Sequence, residues 1–158
     1  MIVVADASPL IFLAKVRRLG LVGELLPGEI LVPRAVHAEV MAPGVDPAEK
    51  EVLEAFLESC TVETVPRPRS FARGMSSTDN AALTLAIRRK ADILLCDERV
   101  TRMMAEAEGI RPLGTLGVLL RAQRAGLMKP AETRRIVDLL VGTHSFRIGV
   151  ELYQAVLA

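Results

Sequence analysis

Hydrophobic positions along the chain follow two habits. Some fall in short unbroken runs of about four residues, and others recur every three or four positions over a dozen. The first run, IVVA at residues 2–5, is broken by Asp6-Ala7-Ser8-Pro9. Ser8 is placed to cap a helix with Pro9 at its first position. Helical spacing then runs to residue 15 and again over residues 16–26, and Pro27-Gly28 marks a turn. Residues 29–32 read as a second strand, and Pro33 opens a helix through residue 41. After a loop carrying Pro43, Gly44 and Pro47, Val52, Leu53, Phe56 and Leu57 share one face of a helix over residues 48–59. Residues 61–65 alternate and are rich in β-branched side chains, the pattern of a strand.

A loop over residues 66–75 follows, and Ser76-Ser77-Thr78-Asp79 has the spacing of a capping box with Asp in place of Glu. The helix it opens runs to about residue 90, with Ala82, Leu85 and Ala86 inward. Residues 92–96 form another strand, Asp97 starts a helix that Gly109 stops, and residues 110–113 form a last short strand. Three helical stretches complete the chain: one from Leu116, one over residues 131–141, and one over residues 150–157.

Strands separated by helical crossovers call for a parallel sheet covered on both faces, an α/β/α architecture. The 158 residues suit one domain, with residues 126–158 as a helical extension of it. Ligands in such folds bind outside the carboxyl ends of the strands, and that rule selects the side chains that matter.

Composition narrows the field. Half the residues are hydrophobic, yet no apolar run reaches the roughly 20 residues of a membrane span. The start MIVVADAS lacks the basic region of a signal peptide, so a cytoplasmic location is expected. Cys60 and Cys96 form no zinc pattern and read as small buried hydrophobes; His37 and His144 have no ligand spacing. GxGxxG and GxxxxGK[ST] are both missing, which argues against a dinucleotide fold and a P-loop NTPase. Asp6-Ala7-Ser8 also lacks the second acid of a DxD phosphatase. The net charge of +1 conceals a bias: of 20 basic residues, all but Lys15, Lys50, Lys90 and Lys129 are Arg, the side chain that grips phosphate bidentately. With no Trp and one Tyr, base stacking is not expected to be the main mode of nucleic-acid binding.

Asp6 follows the first strand directly and Asp97 the fourth, so both should emerge at one sheet edge. Asp79 stands in the first turn of its helix and Glu39 within the helix after the second strand. Both helices begin near that edge if the crossovers are right-handed. Four carboxylates converging on one cleft repel unless a cation lies among them, and Mg²⁺ or Mn²⁺ suits oxygen ligands. On this view Asp97→Asn should abolish cleavage and leave the fold as stable or more so.

The sequence resembles the PIN domain, and more closely a PIN-like subgroup of predicted nucleic-acid-binding proteins related to VapC-type toxins. The resemblance rests on DASPLIFLAK at 6–15, PRAVHAEV at 33–40, DNAALTLA at 79–86 and LLCDERVTRMMAEAEGI at 94–110. It continues through GTLGVLLRAQRAGLM at 114–128 and FRIGVELYQAVL at 146–157. It implies a metal site built from Asp6, Glu39, Asp79 and Asp97, with Ser8 as a nearby hydroxyl and Glu98 as a further acid. One departure is that the third acid of the subgroup is usually Glu; Asp79, one methylene shorter, would reach metal through water.

The expected activity is therefore Mg²⁺- or Mn²⁺-dependent endoribonuclease action, with Arg67, Arg69 and Arg73 holding the RNA backbone. The resemblance also implies a homodimer and a place in a toxin–antitoxin pair with a small antitoxin protein. Apolar residues on the two last helices (Ile136, Val137, Leu140; Leu152, Tyr153, Val156, Leu157) are candidates for the dimer contact. The alternatives are a non-catalytic module that binds metal, RNA or a protein partner, and a small-molecule phosphohydrolase.

Overall fold

The computed structural model describes residues 1–157. Strands β1 (Ile2–Ala5), β2 (Glu29–Pro33), β3 (Thr61–Glu63), β4 (Ile93–Leu95) and β5 (Arg111–Leu113) form one sheet in the order β3-β2-β1-β4-β5. Every pairing is parallel. The chain moves outward from β1 to β2 and β3, then returns across the sheet to β4 and β5. The direction of winding thus reverses between β1 and β4, where a crevice opens at the carboxyl edge.

The helices are α1 (Ala7–Lys15), α2 (Gly20–Leu25), α3 (Arg34–Val40), α4 (Pro47–Glu58), α5 (Ser77–Arg88), α6 (Arg99–Ala107), α7 (Thr115–Arg124), α8 (Pro130–Gly142) and α9 (Val150–Leu157). Because side chains alternate along a strand, Val3 and Ala5 point to one face and Val4 to the other. On the first face Val3, Ala5, Val32, Ile93 and Leu95 pack with Leu10 and Leu13 of α1, Val36 of α3, Leu53 of α4 and Leu119 of α7. On the second, Val4, Leu31, Leu94 and Cys96 meet Ala82, Leu83 and Ala86 of α5 and Ala105 of α6. Burial on both faces explains why the central strands read as unbroken apolar runs. Cys96 is fully buried and Cys60 half-buried, both as free thiols.

The turn before β2 requires glycine. Gly28 has φ +128°, and a Cβ there would overlap the Met1 carbonyl oxygen.

Four expectations are adjusted. The second helix begins at Gly20 rather than near Val16, because Arg17 takes a left-handed conformation (φ 58°) and makes a turn. Pro33 ends β2 and stands at the position just before α3 rather than inside it. Ser8 lies within α1, and the capping residue is Asp6, whose carboxylate accepts from the Ala7 amide at 2.8 Å. Finally, Ile136, Val137 and Leu140 of α8 are buried in the chain's own core, so these three side chains are not free for a partner. On α9, Leu152 stays exposed while Tyr153 and Val156 lean on that core; the Leu157 side chain lies outside the described residues. Among the described residues no helix is long and apolar enough to cross a membrane.

Candidate active site at the switch between β1 and β4

The central strands deliver their next residues to one edge. The Asp6 amide donates to the Leu95 carbonyl at 2.9 Å, which extends the β1–β4 ladder by one step and fixes where the Asp6 side chain starts. Cys96 is held in the same way by the Leu113 carbonyl at 3.0 Å. Asp6 is 3% exposed and Asp79 9%, so two carboxyls are buried at one cleft, close enough for each to act on the other. Burial above all, then the hydrogen bond and charge of Asp79 and the charge of Glu39, together push the Asp6 carboxyl from an ordinary 3.8 up to about 9. The Ala7 amide opposes them.

Asp79 is placed by the capping box the sequence announces. Its amide donates to the Ser76 hydroxyl at 3.1 Å, and its carboxylate accepts from the Ser76 amide at 3.4 Å. One Asp therefore serves both as the helix cap and as the partner of Asp6. Glu39 approaches from α3, which packs against both α1 and α5. Asp6, Glu39, Asp79, Ser8 and Glu98 line one cleft of about 380 Å³, together with Gly74, Ser76 and Thr78. Glu39 and Glu98 are exposed at its rim.

Asp97 emerges at the same sheet edge and stands between two hollows: it is bonded to Ser8 of the acidic cleft and itself lines the groove beside that cleft, formed with α6 and α7. Its carboxylate accepts three hydrogen bonds: from the Ser8 hydroxyl at 2.9 Å, the Thr115 amide at 2.7 Å and the Thr115 hydroxyl at 2.7 Å. It thereby caps α7 and ties α1 to it, so its charge is met by donors rather than by other acids. Thr115 and Gly114 are the residues that sequence reasoning missed. The strand-end rule that selected Asp6 and Asp97 applies equally to Gly114-Thr115 after β5. Neither is acidic, and so neither was singled out.

Among the described residues, no three His, Cys, Asp or Glu side chains stand close enough to make a ready metal cage. The donor set nonetheless suits a hard cation. It is all oxygen, and at neutral pH Asp6 and Asp79 can share their space only through a proton or a positive ion. Asp6 and Asp79 would hold such an ion, with Glu39 and Glu98 near enough to the same cleft to contribute.

Arg67, Arg69 and Arg73 are exposed on the loop before α5. The Arg69 amide donates to the Thr84 hydroxyl at 2.9 Å, the Phe71 amide donates to the Asn80 side chain at 3.1 Å, and Arg88 donates to the Pro66 and Arg67 carbonyls. The loop is thus fastened to α5. The Arg69 guanidinium lies 4.6 Å over the Phe71 ring, and Arg73 precedes Gly74 at the cleft wall. Of the three, only Arg73 adjoins the acidic cleft along the chain; Arg67 and Arg69 lie farther out.

A parallel sheet wound in both directions, with acids at its switch point, is a doubly wound α/β architecture with a candidate site where such folds place one. The family model described as a PIN domain matches residues 2–158, and the chain belongs to that family. Among solved structures it is similar to a PilT N-terminus domain protein from the hyperthermophilic archaeon Sulfolobus solfataricus P2. The two share 12% identity at a TM-score of 0.57, over 76% of this chain and 92% of that one. That likeness is one of fold. No curated protein matches the chain.

Proposed function

We propose that the protein is a Mg²⁺- or Mn²⁺-dependent endoribonuclease. The observation that carries this reading is the buried Asp6–Asp79 pair facing Glu39 at the sheet's switch point, within a PIN domain. Burying two carboxyls against each other costs stability, and a site that keeps them is a functional candidate. A divalent cation, when bound, supplies a nucleophilic water at neutral pH and offsets charge on the phosphate. Asp6 and Asp79 bind the cation, Glu39 and Glu98 extend the shell, and Arg73 on the rim draws the RNA backbone. Asp97 acts through others: it fixes Ser8 at the cleft wall and the start of α7 beneath it.

The experiment is incubation of a mixed RNA pool with the protein and Mg²⁺ or Mn²⁺, with EDTA and Asp6→Asn as controls. Cation-dependent fragments that vanish in both controls are expected. RNA left intact by wild-type protein with either cation would reject the reading. A role as the toxin of a toxin–antitoxin pair is the finer form of the same proposal, and growth arrest on expression of the wild type but not of Asp6→Asn tests it.

A further inference from the structure

Beside the acidic cleft runs a second hollow of about 510 Å³, within the roughly 300–1,000 Å³ span of small-ligand sites. Its floor is apolar, built from Leu116, Leu120, Phe146, Ile148 and Leu152. Its walls carry Arg99, Arg102 and Arg147. None of these arginines makes an ion pair among the described residues. The one acid in the lining, Asp97, has its oxygens committed to Ser8 and Thr115. One carboxylate thus faces three guanidinium groups around an apolar floor, and the chemistry that balances the remaining positive charge is an anion carrying an apolar body.

The hollow adjoins the cleft. Asp97 and Arg99 line the hollow while Glu98 between them lines the cleft, and the Ser8–Asp97 hydrogen bond is the partition. Gly114 keeps this junction open: a Cβ there would stand 2.8 Å from both the Arg102 guanidinium and the Asp97 carboxylate.

We propose that this hollow binds the stretch of single-stranded RNA next to the scissile phosphate, its phosphates on Arg99, Arg102 and Arg147 and a base against Phe146 and Leu152. The inference rests on the nuclease reading for its choice of ligand. Guanidinium groups pair with phosphate oxygens bidentately, and a nucleobase on an aromatic ring is a sequence-tolerant contact.

The test uses the full chain in EDTA, where binding is read without cleavage, and a labelled single-stranded RNA of about ten nucleotides followed by fluorescence anisotropy. The variant carrying Arg102→Gln and Arg147→Gln should bind roughly tenfold more weakly per lost arginine, and the slope of log affinity against log salt should shrink by about 1.4, at ~0.7 per lost phosphate contact on a single strand. Leu152→Asp, at a side chain 50% exposed, puts a negative charge on the floor without disturbing the core and should weaken binding as well. A charge-matched control, Arg111→Gln with Arg124→Gln at the amino edge of the sheet, should bind like the wild type. Unchanged affinity and salt slope in both hollow variants overturn the proposal, as does an absence of RNA binding by the wild type at low salt. An acidic peptide that binds there while RNA does not also overturns it, and assigns the hollow to a protein partner. Loss of RNA binding in the hollow variants, from a wild type that cuts nothing with cation present, would uphold the subsite and reject the nuclease reading. The converse pattern would do the opposite.

Discussion

At the scale of single residues, the acids divide into two kinds. Asp6 sits in a place that disfavours its charge, and Asp97 is held by three hydrogen-bond donors. Between its ordinary 3.8 and about 9, the folded Asp6 holds a proton that the unfolded chain has released. A group with a raised folded value stabilises the fold fully at low pH and loses that contribution as pH rises towards the folded value. Asp6→Asn removes the titration. The metal-free variant should therefore gain on the wild type in melting temperature as pH climbs from 5 to 9, and it should not cleave RNA. Melting curves at matched pH without cation check this; a difference that stays flat across the range would contradict the raised carboxyl. Asp97→Asn should act the other way. It replaces an acceptor of three hydrogen bonds with an amide that presents an N–H to one of the donors, at a cost of about 1–3 kcal/mol by the usual worth of bonds to charged groups. The gain in stability first expected for Asp97→Asn thus belongs to Asp6→Asn, and chemical denaturation of the two variants side by side distinguishes them.

At the scale of elements, α5 shows what local sequence can specify. Ser76 and Asp79 fix the helix start by themselves, and the same step sets Asp79 against Asp6. Ser76→Ala should cost about 1 kcal/mol, or roughly 2–4 °C in a chain of this size, and should lower cation-dependent cleavage because Asp79 loses its tether. Unchanged activity in a variant that melts lower would mean that the cap serves stability alone. The strands and their order of appearance were legible because their apolar runs are short and bounded by breakers. The common edge of Asp6 and Asp97 followed from the rule that crossovers make the sheet parallel. Sequence pattern could not tell that Asp97 turns towards α7, since that depends on Thr115 arriving from another strand 18 residues away. Nor could it place Ser8, whose position before Pro9 suits a cap, while the tertiary bond to Asp97 decides its role. For α8 the amphipathic spacing was correct, and only the packing shows that its apolar stripe faces the chain's own core.

At the scale of the whole molecule, the acidic cleft lies where β1, α3, α5 and the β4–α6 turn meet, so a ligand bound there touches elements from both layers of helices. Any ion that binds the folded chain and not the unfolded one raises stability with its concentration, by about 2.7 kcal/mol at a hundred times its Kd. Mg²⁺ or Mn²⁺ should therefore raise the melting temperature of the wild type and leave that of Asp6→Asn nearly unmoved. The effect should also depend on pH with a definite sign. A cation takes the place of the proton on Asp6, and below about pH 9 that proton must be expelled first, so binding releases it. The thermal shift at a fixed cation concentration should consequently grow from pH 6 to pH 9, opposite to the decline of the metal-free protein over the same interval. Ca²⁺, larger and less demanding in its geometry, is a useful comparison, because stabilisation by Ca²⁺ without cleavage separates occupation of the cleft from the chemistry done there. A thermal shift that ignores pH, or one that persists in Asp6→Asn, would place the ion elsewhere on the molecule and remove the Asp6–Asp79 pair from the metal site.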